Sequence, residues 1–550
     1  MPITSRFVRA ALAALAALSL GACRDQPAAP VDGPVRLSVN AQVAAAGAAL
    51  QVTITWLSFE NESRTEHTLL DRAFPLGATQ GTLPVSFSLT PCLANDAREQ
   101  PPLSEGPTDV CVLHTTLVLL DASGTAIDRQ SVPALEATRG ATVSTPEITL
   151  GLRTAFTQFV SSAYRGCGLV ASGNIYCAGY NGTGELGTGT IGGASSTLQR
   201  VQGGPWTTLI ASSVSTGCAL KTGGVAFCWG DNSYGQLGVP AASAPCPAGG
   251  NGGSCSPTPV AVSGGLTFTQ LAAGYSTTCG IATGGRVWCW GTNTLGGQLG
   301  GGPRQPVGTT FPAPQAVGGQ LLFTRLAVGT NHSCAIATDA HAYCWGYNAN
   351  GELGLAPDTA KSCLKSLTTA PPSYDCRDVP TAVSGTQTFT SVGVGNGFSC
   401  ALATDGGAWC WGYNGGGYLG LGTADGTVHP TPTAVVGGLK FTQLSVGPDA
   451  TCGVTSAGRL YCWGAVTFRG QTDASVPQPI DDPHTFVAVT VGSVDACAID
   501  TRGGVFCGGF NSYGEFGNGT TEPALAPVSV GLPPGVTPLR APAGPVTLSR

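Results

Sequence analysis

Short apolar segments separated by glycine-containing turns recur along the last two-thirds of this chain. In one clear copy the apolar segments are Phe268–Gly274, Thr278–Ala282 and Val287–Gly291, and the last two flank the turn Thr283–Gly285. A Gly-Gln-Leu-Gly segment and a proline-containing segment ending at Val317 complete the copy. Short apolar runs bounded by glycine turns are typical of β-strands. Each copy therefore predicts four short strands.

The pattern occurs seven times, and every copy begins at an aromatic residue: Phe156, Trp206, Phe268, Phe323, Phe389, Phe441 and Phe486. Successive copies are spaced by roughly 45 to 66 residues, and four strands repeated at such a period indicate a β-propeller. The sequence therefore predicts an all-β protein with a seven-bladed β-propeller over residues 154–535, followed by a C-terminal tail at 536–550.

Residues 34–150 predict a separate small β-sandwich domain. Its segments alternate between apolar and polar residues and are separated by polar, glycine or proline turns: Val35–Val39, Leu50–Trp56, Val85–Leu89, Val112–Leu120 and Ala141–Leu150. Trp56 precedes both Cys92 and Cys111, so the Cys, Trp, Cys order of immunoglobulin domains is absent.

Two cysteines with nine residues between them mark each copy: Cys167 and Cys177, Cys218 and Cys228, Cys279 and Cys289, Cys334 and Cys344, Cys400 and Cys410, Cys452 and Cys462, Cys497 and Cys507. Their midpoint is the centre of a turn triplet whose third residue is glycine in every copy except the fourth, which has Ala340. Glycine suits the positive φ that ends many three-residue hairpin loops. This register places the cysteines opposite each other, with Cα atoms about 4.5 to 5.5 Å apart, close enough for a disulfide. On the chain-entropy model each bond contributes about 3 kcal/mol.

The other cysteines extend this prediction. Six of them group by proximity as Cys92 with Cys111, Cys246 with Cys255, and Cys363 with Cys376, which leaves Cys23 alone among the 21 cysteines. Such pairing is typical of an oxidising compartment.

The first residues predict export. Arg6 and Arg9 precede an apolar run at 10–20 that is too short to cross a bilayer. The segment Leu20–Cys23 resembles the lipobox of bacterial lipoproteins, in which the cysteine carries a diacylglycerol. We expect a signal peptide at 1–22, a lipidated Cys23 and a tether at 23–33. A plain secretory signal is the alternative. By resemblance to the sorting rule of enteric bacteria, Arg24 favours the outer membrane or cell surface over the inner membrane.

Charge and composition limit the partners. The formal net charge is -6, and only 10% of residues are charged. Without a cluster of lysine and arginine to neutralise phosphates, the chain is not expected to bind nucleic acid. Membrane contact is expected through the lipid alone, and the protein is expected to be a monomer.

The repeat resembles the regulator of chromosome condensation family. The similarity is carried by Cys228–Gly230 with Asn232–Gly238, and by Cys344–Gly346 with Asn348–Gly354. It extends over roughly 380 residues. The chain departs from it at the ring closure, where blade 1 has Ala178 and blade 7 has Gly508 in place of Trp, and blade 6 lacks the Gly-x-Leu-Gly segment.

The resemblance implies two activities. One is guanine-nucleotide exchange on a small GTPase, which an exported chain would not meet. The other is inhibition of β-lactamases, known for a secreted bacterial propeller of this family. No residue here matches a motif that would carry either activity.

Motifs of nucleotide and metal sites have simpler explanations. Gly182–Gly187 and Gly415–Gly420 fit GxGxxG, but no helix-forming segment follows them. His332, Cys334, His341 and Cys344 have a spacing compatible with zinc, yet both cysteines occupy the repeated disulfide positions. No cofactor or metal is predicted.

Catalytic patterns are also absent from the sequence. There is no Gly-x-Ser-x-Gly motif, and the six histidines are scattered. Glu185, Glu352 and Glu515 share one repeat position, which is Gln in blades 2 and 3, and this favours a structural role. We predict no catalytic residue and no enzyme, although a site assembled from several blades stays an alternative.

Three insertions interrupt the repeat after the Gly-x-Leu-Gly segment, at Val239–Ser256, Gly301–Phe311 and Leu355–Val379. They should emerge from one side of adjacent blades, and repeat proteins tend to collect insertions on the binding side. The third contains the densest charge of the propeller and is the candidate binding loop, with Lys361, Lys365, Tyr374, Asp375, Arg377 and Asp378. Drift in a tolerant loop is the alternative.

Together these patterns predict a cell-envelope lipoprotein whose disulfide-pinned propeller is a binding scaffold for a protein or glycan. The alternatives are an extracytoplasmic enzyme acting on polysaccharide and an inhibitor of a secreted enzyme. Carboxylates clustered in the central channel would favour the enzyme.

Overall fold

The computed structural model describes eight strands between residues 35 and 150, and residues 156–531 except 211–214, 241–243, 247–253, 294–295, 303–307, 359–374 and 466–473. Cys23, the predicted signal peptide and the predicted C-terminal tail lie outside the described residues.

The eight N-terminal strands form two four-stranded sheets. They are β1 (Val35–Val43), β2 (Ala49–Glu60), β3 (Ser63–Pro75), β4 (Gly81–Leu89), β5 (Val110–Leu120), β6 (Ala126–Thr138), β7 (Thr142–Ser144) and β8 (Ile148–Leu150). One sheet has the order β4-β1-β7, with β8 also paired to β1, and the other has the order β3-β2-β5-β6. Four of the five predicted segments fall within single strands, and the fifth, Ala141–Leu150, contains the two short strands β7 and β8. The sequences of β3 and β6 lack the alternation by which the other strands were recognised.

Seven further sheets follow in chain order. Blade 1 consists of β9 (Phe156–Ser161), β10 (Arg165–Val170), β11 (Ile175–Tyr180) and β12 (Ala194–Arg200); blade 2 of β13 (Thr208–Ile210), β14 (Thr216–Leu220), β15 (Ala226–Asp231), β16 (Ala244–Pro245) and β17 (Ser254–Ala261). Blade 3 consists of β18 (Phe268–Ala273), β19 (Thr277–Ala282), β20 (Val287–Thr292) and β21 (Thr310–Ala316); blade 4 of β22 (Phe323–Val328), β23 (His332–Ala337), β24 (Ala342–Tyr347) and β25 (Cys376–Ala382).

The last three blades have four strands each. Blade 5 consists of β26 (Phe389–Val394), β27 (Phe398–Ala403), β28 (Ala408–Tyr413) and β29 (Val428–Ala434). Blade 6 consists of β30 (Phe441–Val446), β31 (Ala450–Thr455), β32 (Leu460–Gly464) and β33 (Ala474–Pro479); blade 7 of β34 (Phe486–Val491), β35 (Asp495–Asp500), β36 (Val505–Gly509) and β37 (Ala524–Ser529). Each blade pairs its strands antiparallel in chain order, and in blade 2 the short β16 adds to the outer edge of β17. The predicted seven-bladed propeller is confirmed.

The same backbone hydrogen bond joins every blade to the one before it. The amide of the aromatic residue that opens a blade donates to the carbonyl of the last turn residue of the preceding hairpin. Blade 3 shows it as Phe268 N to Gly224 O at 2.8 Å, and Phe156 N makes it to Gly503 O, also at 2.8 Å. Because blade 1 repeats with blade 7 the contact that the other neighbours make, the ring is closed without an irregular seam.

Buried tryptophans fill the spaces between blades. Trp229, Trp290, Trp345, Trp411 and Trp463 have no exposed surface. Each indole N–H donates across the seam to a backbone carbonyl of the preceding blade, for example from Trp290 to Gln236 O at 2.9 Å. Blade 1 has Ala178 instead, and there the fully buried Phe516 of blade 7 occupies the place of the usual leucine and shares a core with Ala178. A larger residue on one side of the seam thus offsets a smaller one on the other.

Disulfides join the two cysteines of all seven hairpins, whose registers place them directly opposite each other. The bonded pairs are those that the sequence predicts: Cys167 with Cys177, Cys218 with Cys228, Cys279 with Cys289, Cys334 with Cys344, Cys400 with Cys410, Cys452 with Cys462, and Cys497 with Cys507. The predicted distance is wrong for all seven pairs. Their Cα atoms are 4.0 to 4.1 Å apart, less than the predicted 4.5 to 5.5 Å, because the sulfur bridge draws the strands together.

The remaining cysteines are described only in part. Cys246 is bonded to Cys255, and Cys376 is also disulfide-bonded. Cys363, Cys92 and the side chain of Cys111 lie outside the description. The bonds that are described indicate an oxidising compartment.

The structure explains the one turn that lacks glycine. The third turn residue has a positive φ in every hairpin, from 66° to 88°, and at Ala340 it is 66°. Ala340 is the only residue other than glycine with positive φ in the part of the chain that the structure describes. The hairpin register therefore dictates this conformation even where the side chain disfavours it.

Proline interrupts the outermost strands. Examples are Pro312 and Pro314 in β21, and Pro430 and Pro432 in β29. Proline has no amide hydrogen, so it weakens the exposed edge as a template for pairing with another chain. Nowhere in the described part of the chain is there a helix long and apolar enough to span a membrane.

Candidate binding face

Antiparallel order within a blade brings two connections to the same side of the ring. The turn between the first and second strands and the connection between the third and fourth leave from one end of the blade. We call the side formed by these connections the insert face, because all three insertions belong to its third-to-fourth-strand connections. The remaining turns and connections form the opposite face. The prediction that the insertions share one side agrees with this topology.

The described end of the candidate binding loop is fastened to the propeller. Asp375 is buried, contacts the guanidinium of Arg377 and accepts a hydrogen bond from Asn348 Nδ2 at 2.6 Å. The carbonyl of Asp378 accepts from the amide of Gly302 in blade 3 at 2.8 Å. Asp375 thus holds the base of the loop instead of facing a partner. The other three candidates, Lys361, Lys365 and Tyr374, lie outside the described residues.

Exposed tyrosines are the feature that the sequence did not reveal. Five large aromatic side chains are exposed among the described residues, all are tyrosine, and their exposed fractions are 37 to 47%: Tyr164, Tyr180, Tyr275, Tyr413 and Tyr513. Every one lies in an insert-face connection or is the strand residue next to one. The exposed large residues of the opposite face are aliphatic, such as Val225 and Leu322. The two faces therefore differ in exposed aromatic surface, although the insert face also exposes an aliphatic residue, Val428.

Three of these tyrosines form a continuous group, the seam tyrosine row, where blade 7 meets blade 1. The ring of Tyr513 lies between those of Tyr164 and Tyr180, with centroids 5.2 and 5.3 Å away and interplanar angles of 72° and 71°. Gly182 makes room for this row, because a Cβ there would stand 2.0 Å from the Tyr180 hydroxyl. Burial, then the charges of Glu185 and Tyr513, raises the pKa of Tyr180 above its ordinary value.

Two smaller aromatic contacts lie elsewhere on the insert face. Tyr234 and Tyr275 meet across blades 2 and 3 with centroids 6.3 Å apart, and Tyr413 and Tyr418 meet within blade 5 at 6.5 Å. Burial, followed by the charges of Tyr234 and Asp231, raises the pKa of Tyr275. Aromatic surface is therefore distributed around the face.

A narrow central channel opens near Tyr275. Its volume is about 200 Å³, and the strand ends and turns that line it carry small residues such as Ser161, Gly274, Asn396 and Ser493. None of its described lining residues is Asp, Glu, His, Lys or Arg. The equivalent segment of blade 2, at 211–214, is outside the description and reads Ala-Ser-Ser-Val. The clustered carboxylates that would favour an enzyme are not found among the described residues of this channel.

The repeated carboxylates shape loops. Glu352 Oε2 accepts from the amide of Asn350 at 2.7 Å, and Gln236 makes the equivalent bond in blade 2 to Tyr234 at 2.9 Å. Burial raises the pKa of Glu352 from 4.5 to about 8, so it is mostly protonated at neutral pH. A neutral side chain thus performs the function of glutamine at this position. The predicted structural role fits these contacts.

The histidine and cysteine group of blade 4 is unsuited to zinc. Cys334 and Cys344 are joined to each other, so neither offers a thiolate. His332 is buried, its Nε2 lies 2.8 Å from Ser399 Oγ in blade 5, and burial lowers its pKa to about 3. His332 and Ser399 are both buried in the seam between blades 4 and 5, so a substrate cannot reach them.

The four-stranded sheets and their closure define the class as an all-β, seven-bladed propeller protein. Within that class, segments of five blades match models of the regulator of chromosome condensation repeat. One model of this repeat matches residues 208–236, 268–296, 323–352, 389–417 and 441–471, and a second matches 223–281 and 339–402. These matches lie in blades 2 to 6, between the divergent blades 1 and 7.

Known proteins of different kinds are similar to this chain. The ultraviolet-B receptor UVR8 of Arabidopsis thaliana is 25% identical over 334 residues, which cover 59% of this chain and 70% of the receptor. The human E3 ubiquitin-protein ligase HERC2 is 25% identical over 375 residues, 65% of this chain and only 7% of the ligase.

Two solved structures show the same fold. Prp20p of Saccharomyces cerevisiae superposes with a TM-score of 0.55 at 18% identity, covering 68% of this chain and 87% of Prp20p. Human WBSCR16 superposes with a TM-score of 0.53 at 18% identity, covering 67% of this chain and 94% of its own.

Proposed function

We propose that the protein is an extracytoplasmic binding scaffold, attached to the cell envelope by a lipid on Cys23, whose insert face engages a macromolecular partner. The observation that carries this proposal is the coincidence of all five exposed tyrosines and all three insertions on one side of the ring. Tyrosine supplies a large contact area at a small cost in conformational entropy. Inhibition of a secreted enzyme would be one form of such binding.

The anchor is proposed from two features. Hairpin disulfides indicate an oxidising compartment, and the resemblance of Leu20–Cys23 to a lipobox supplies a means of attachment. Changing Cys23 to Ser should move the chain from the membrane fraction to the soluble fraction after export. A chain that stays with the membrane in this variant would contradict the anchor and leave the binding face untouched.

An enzymatic function finds less support. The described channel lining contains no Asp, Glu, His, Lys or Arg, and the buried Glu352 and His332 of blade 4 make their hydrogen bonds within a loop and inside a seam. A binding role requires none of them.

The binding proposal is tested with the full chain, exported with its disulfides and purified in detergent. It is used to capture envelope proteins and, in parallel, to probe immobilised glycans. We compare the parent with Tyr275→Ala and with a loop variant in which 359–374 becomes a Gly-Ser linker and Cys376 becomes Ser. Leu322→Ala on the opposite face is the matched control.

We expect the insert-face variants to weaken capture and the control to retain it. If capture is lost only in Leu322→Ala, binding occurs on the opposite face and the proposal is contradicted. Degradation of an envelope polysaccharide by the purified chain would favour the enzyme.

A further inference from the structure

We propose that the seam tyrosine row, within the acidic insert face, binds a basic polypeptide segment of a protein partner and packs arginine or lysine side chains against its rings. This rests on the proposed function and specifies the partner of the same face. The supporting observations are the distribution of charge between the two faces, the geometry of the row and the composition of the surrounding surface.

Charge is divided unequally between the faces. In sequence, the insert-face connections contain nine carboxylates, Glu185, Glu352, Asp358, Asp375, Asp425, Asp449, Asp473, Glu515 and Glu522, and four basic residues, Arg304, Lys361, Lys365 and Arg469. The opposite-face connections contain four carboxylates, Asp339, Asp405, Asp481 and Asp482, and five basic residues, Lys221, Arg286, Lys440, Arg459 and Arg502. All four basic residues of the insert-face connections belong to stretches outside the structural description. The acidic excess therefore lies on the insert face.

Not every carboxylate contributes to this potential. Glu352 is protonated at neutral pH, and Asp375 is neutralised by Arg377. Among the described residues of these connections, the partly or fully exposed carboxylates are Asp358, Asp425, Asp449 and Glu522, and Asp473, like the four basic residues, lies outside the described residues. Glu522 belongs to the same connection as Tyr513, so a partly exposed carboxylate lies in the loop that bears the central ring of the row.

Further titratable groups lie in the seam near the row. Asp495 contacts Ser161 Oγ across the seam, Glu515 follows Tyr513 in the loop, and Glu185 acts on Tyr180. Arg165 is the buried counter-charge, donating to Glu185 O at 2.8 Å and to Thr216 O at 3.1 Å across the seam of blades 1 and 2. Burial raises the pKa of Asp495 and of Glu515 above their ordinary values, which favours the neutral forms, so neither adds a full negative charge near the rings.

Tyrosine rings held in this way are suited to cations. An arginine or lysine within about 6 Å of an aromatic centroid is attracted by the ring quadrupole. Tyr513 contacts both neighbours edge to face, so the row is a packed ridge across the seam and not an open cage. A ridge can support the planar guanidinium of arginine on several rings along an extended segment.

The surroundings favour a polypeptide over a neutral glycan. An acidic face gives no electrostatic advantage to a neutral sugar, whereas it attracts a basic segment and accelerates its association. Tyrosine, serine, glycine and asparagine make up eleven of the twenty described residues that line the channel, and the rest are valine, alanine, threonine and proline. Antibodies use the first four types to bind proteins.

The test measures peptide affinity for the full chain in detergent by fluorescence anisotropy. The probes are an alternating Arg-Gly peptide, matched Glu-Gly and Ser-Gly peptides, and a neutral glucan oligosaccharide. We expect the basic peptide to bind best and to lose about tenfold or more in affinity between about 0.1 M and 1 M salt, as the Debye length falls from about 10 to 3 Å.

Substitutions at Tyr513 test whether the aromatic ring itself is needed for binding. Tyr513→Ala should lower the affinity for the basic peptide by about tenfold, an effect of the size expected for a residue at the centre of an interface. Tyr513→Phe retains the aromatic ring, so its affinity for the basic peptide should stay within about twofold of that of the parent. Leu322→Ala on the opposite face should bind the peptide like the parent. Circular dichroism and thiol titration confirm that each variant is folded and oxidised.

Three results would overturn the inference: equal affinity for basic and acidic peptides, affinity unaffected by Tyr513→Ala, or preferential binding of the oligosaccharide at both salt concentrations. If the oligosaccharide binds and Tyr275→Ala weakens it, the scaffold proposal survives and only the basic partner is refuted. If capture is insensitive to every insert-face variant, the proposed function itself fails.

Discussion

The seam tryptophans give the sharpest test of how this ring is held together. Blade 3 contains Trp288 and Trp290 on either side of Cys289 in one strand. Trp290 is fully buried and donates to Gln236 O of blade 2 at 2.9 Å, whereas Trp288 is only partly buried. Changing each in turn to Phe compares a seam position with a matched position two residues away.

The expected magnitude follows from the contacts. Gln236 O also accepts from Thr278 Oγ1 at 2.9 Å, so Trp290→Phe does not leave this carbonyl unpaired, and the lost hydrogen bond costs about 1 kcal/mol. Phenylalanine has two fewer ring carbons than tryptophan, each worth about 0.8 kcal/mol when buried. We expect a total loss of about 2 to 3 kcal/mol for Trp290→Phe, and about 0.5 to 1 kcal/mol for Trp288→Phe.

The assay is equilibrium unfolding in urea with all disulfides intact, followed by far-ultraviolet circular dichroism. Because both variants retain the same disulfides, the restriction of the unfolded chain cancels in the comparison. Equal losses of unfolding free energy for the two substitutions would refute the argument that the indole across the seam is what joins neighbouring blades.

Two further predictions concern single positions at which the equivalent residue of another blade shows what the substitution should do. Glu352 has a pKa of about 8 in the folded protein instead of 4.5, so its contribution to stability is complete below pH 4.5 and is lost as the pH rises through about 8. Glu352→Gln introduces the residue that blade 2 has at the equivalent position, Gln236. It should remove the contribution of Glu352 to the pH dependence of the urea midpoint between pH 4.5 and about 8. An unchanged pH profile would contradict the conclusion that Glu352 is mostly protonated at neutral pH. Ala340→Gly should raise the unfolding free energy by about 0.5 to 1 kcal/mol, because glycine adopts φ of 66° without the penalty of a Cβ. A loss of stability would mean that the methyl group makes packing contacts worth more than the backbone strain.

The hairpins were predictable because their determinants are local. Nine residues between cysteines and a turn triplet at the midpoint leave one register, and the structure has that register in all seven hairpins. The blade count followed from counting the same unit. The separation of the cysteine Cα atoms was overestimated, since the prediction used ordinary strand pairs.

The tyrosine row was not predictable in the same way. Tyr164, Tyr180 and Tyr513 are separated by as much as the whole propeller in sequence, and they meet only because blade 7 closes against blade 1. An alternating pattern shows that a residue is near a strand end, but it does not show which side chains from another blade lie beside it. The raised pKa of Glu352 could not be predicted from the sequence either, because it is caused by burial in the folded protein.

Equivalent positions in the seven blades separate the residues that build the ring from those available for binding. Tryptophan after the second cysteine and Glu or Gln before the loop leucine recur, and both are engaged in contacts within or between blades. The last residue of the third strand varies instead, with Tyr180 in blade 1, Asp231 in blade 2 and Thr292 in blade 3. A side chain that can change from blade to blade without disturbing the fold is free to be selected for a partner. The same reasoning applies to the insertions, which the propeller does not need. The side of the ring where variable tyrosines and dispensable loops coincide is therefore where specificity is to be sought.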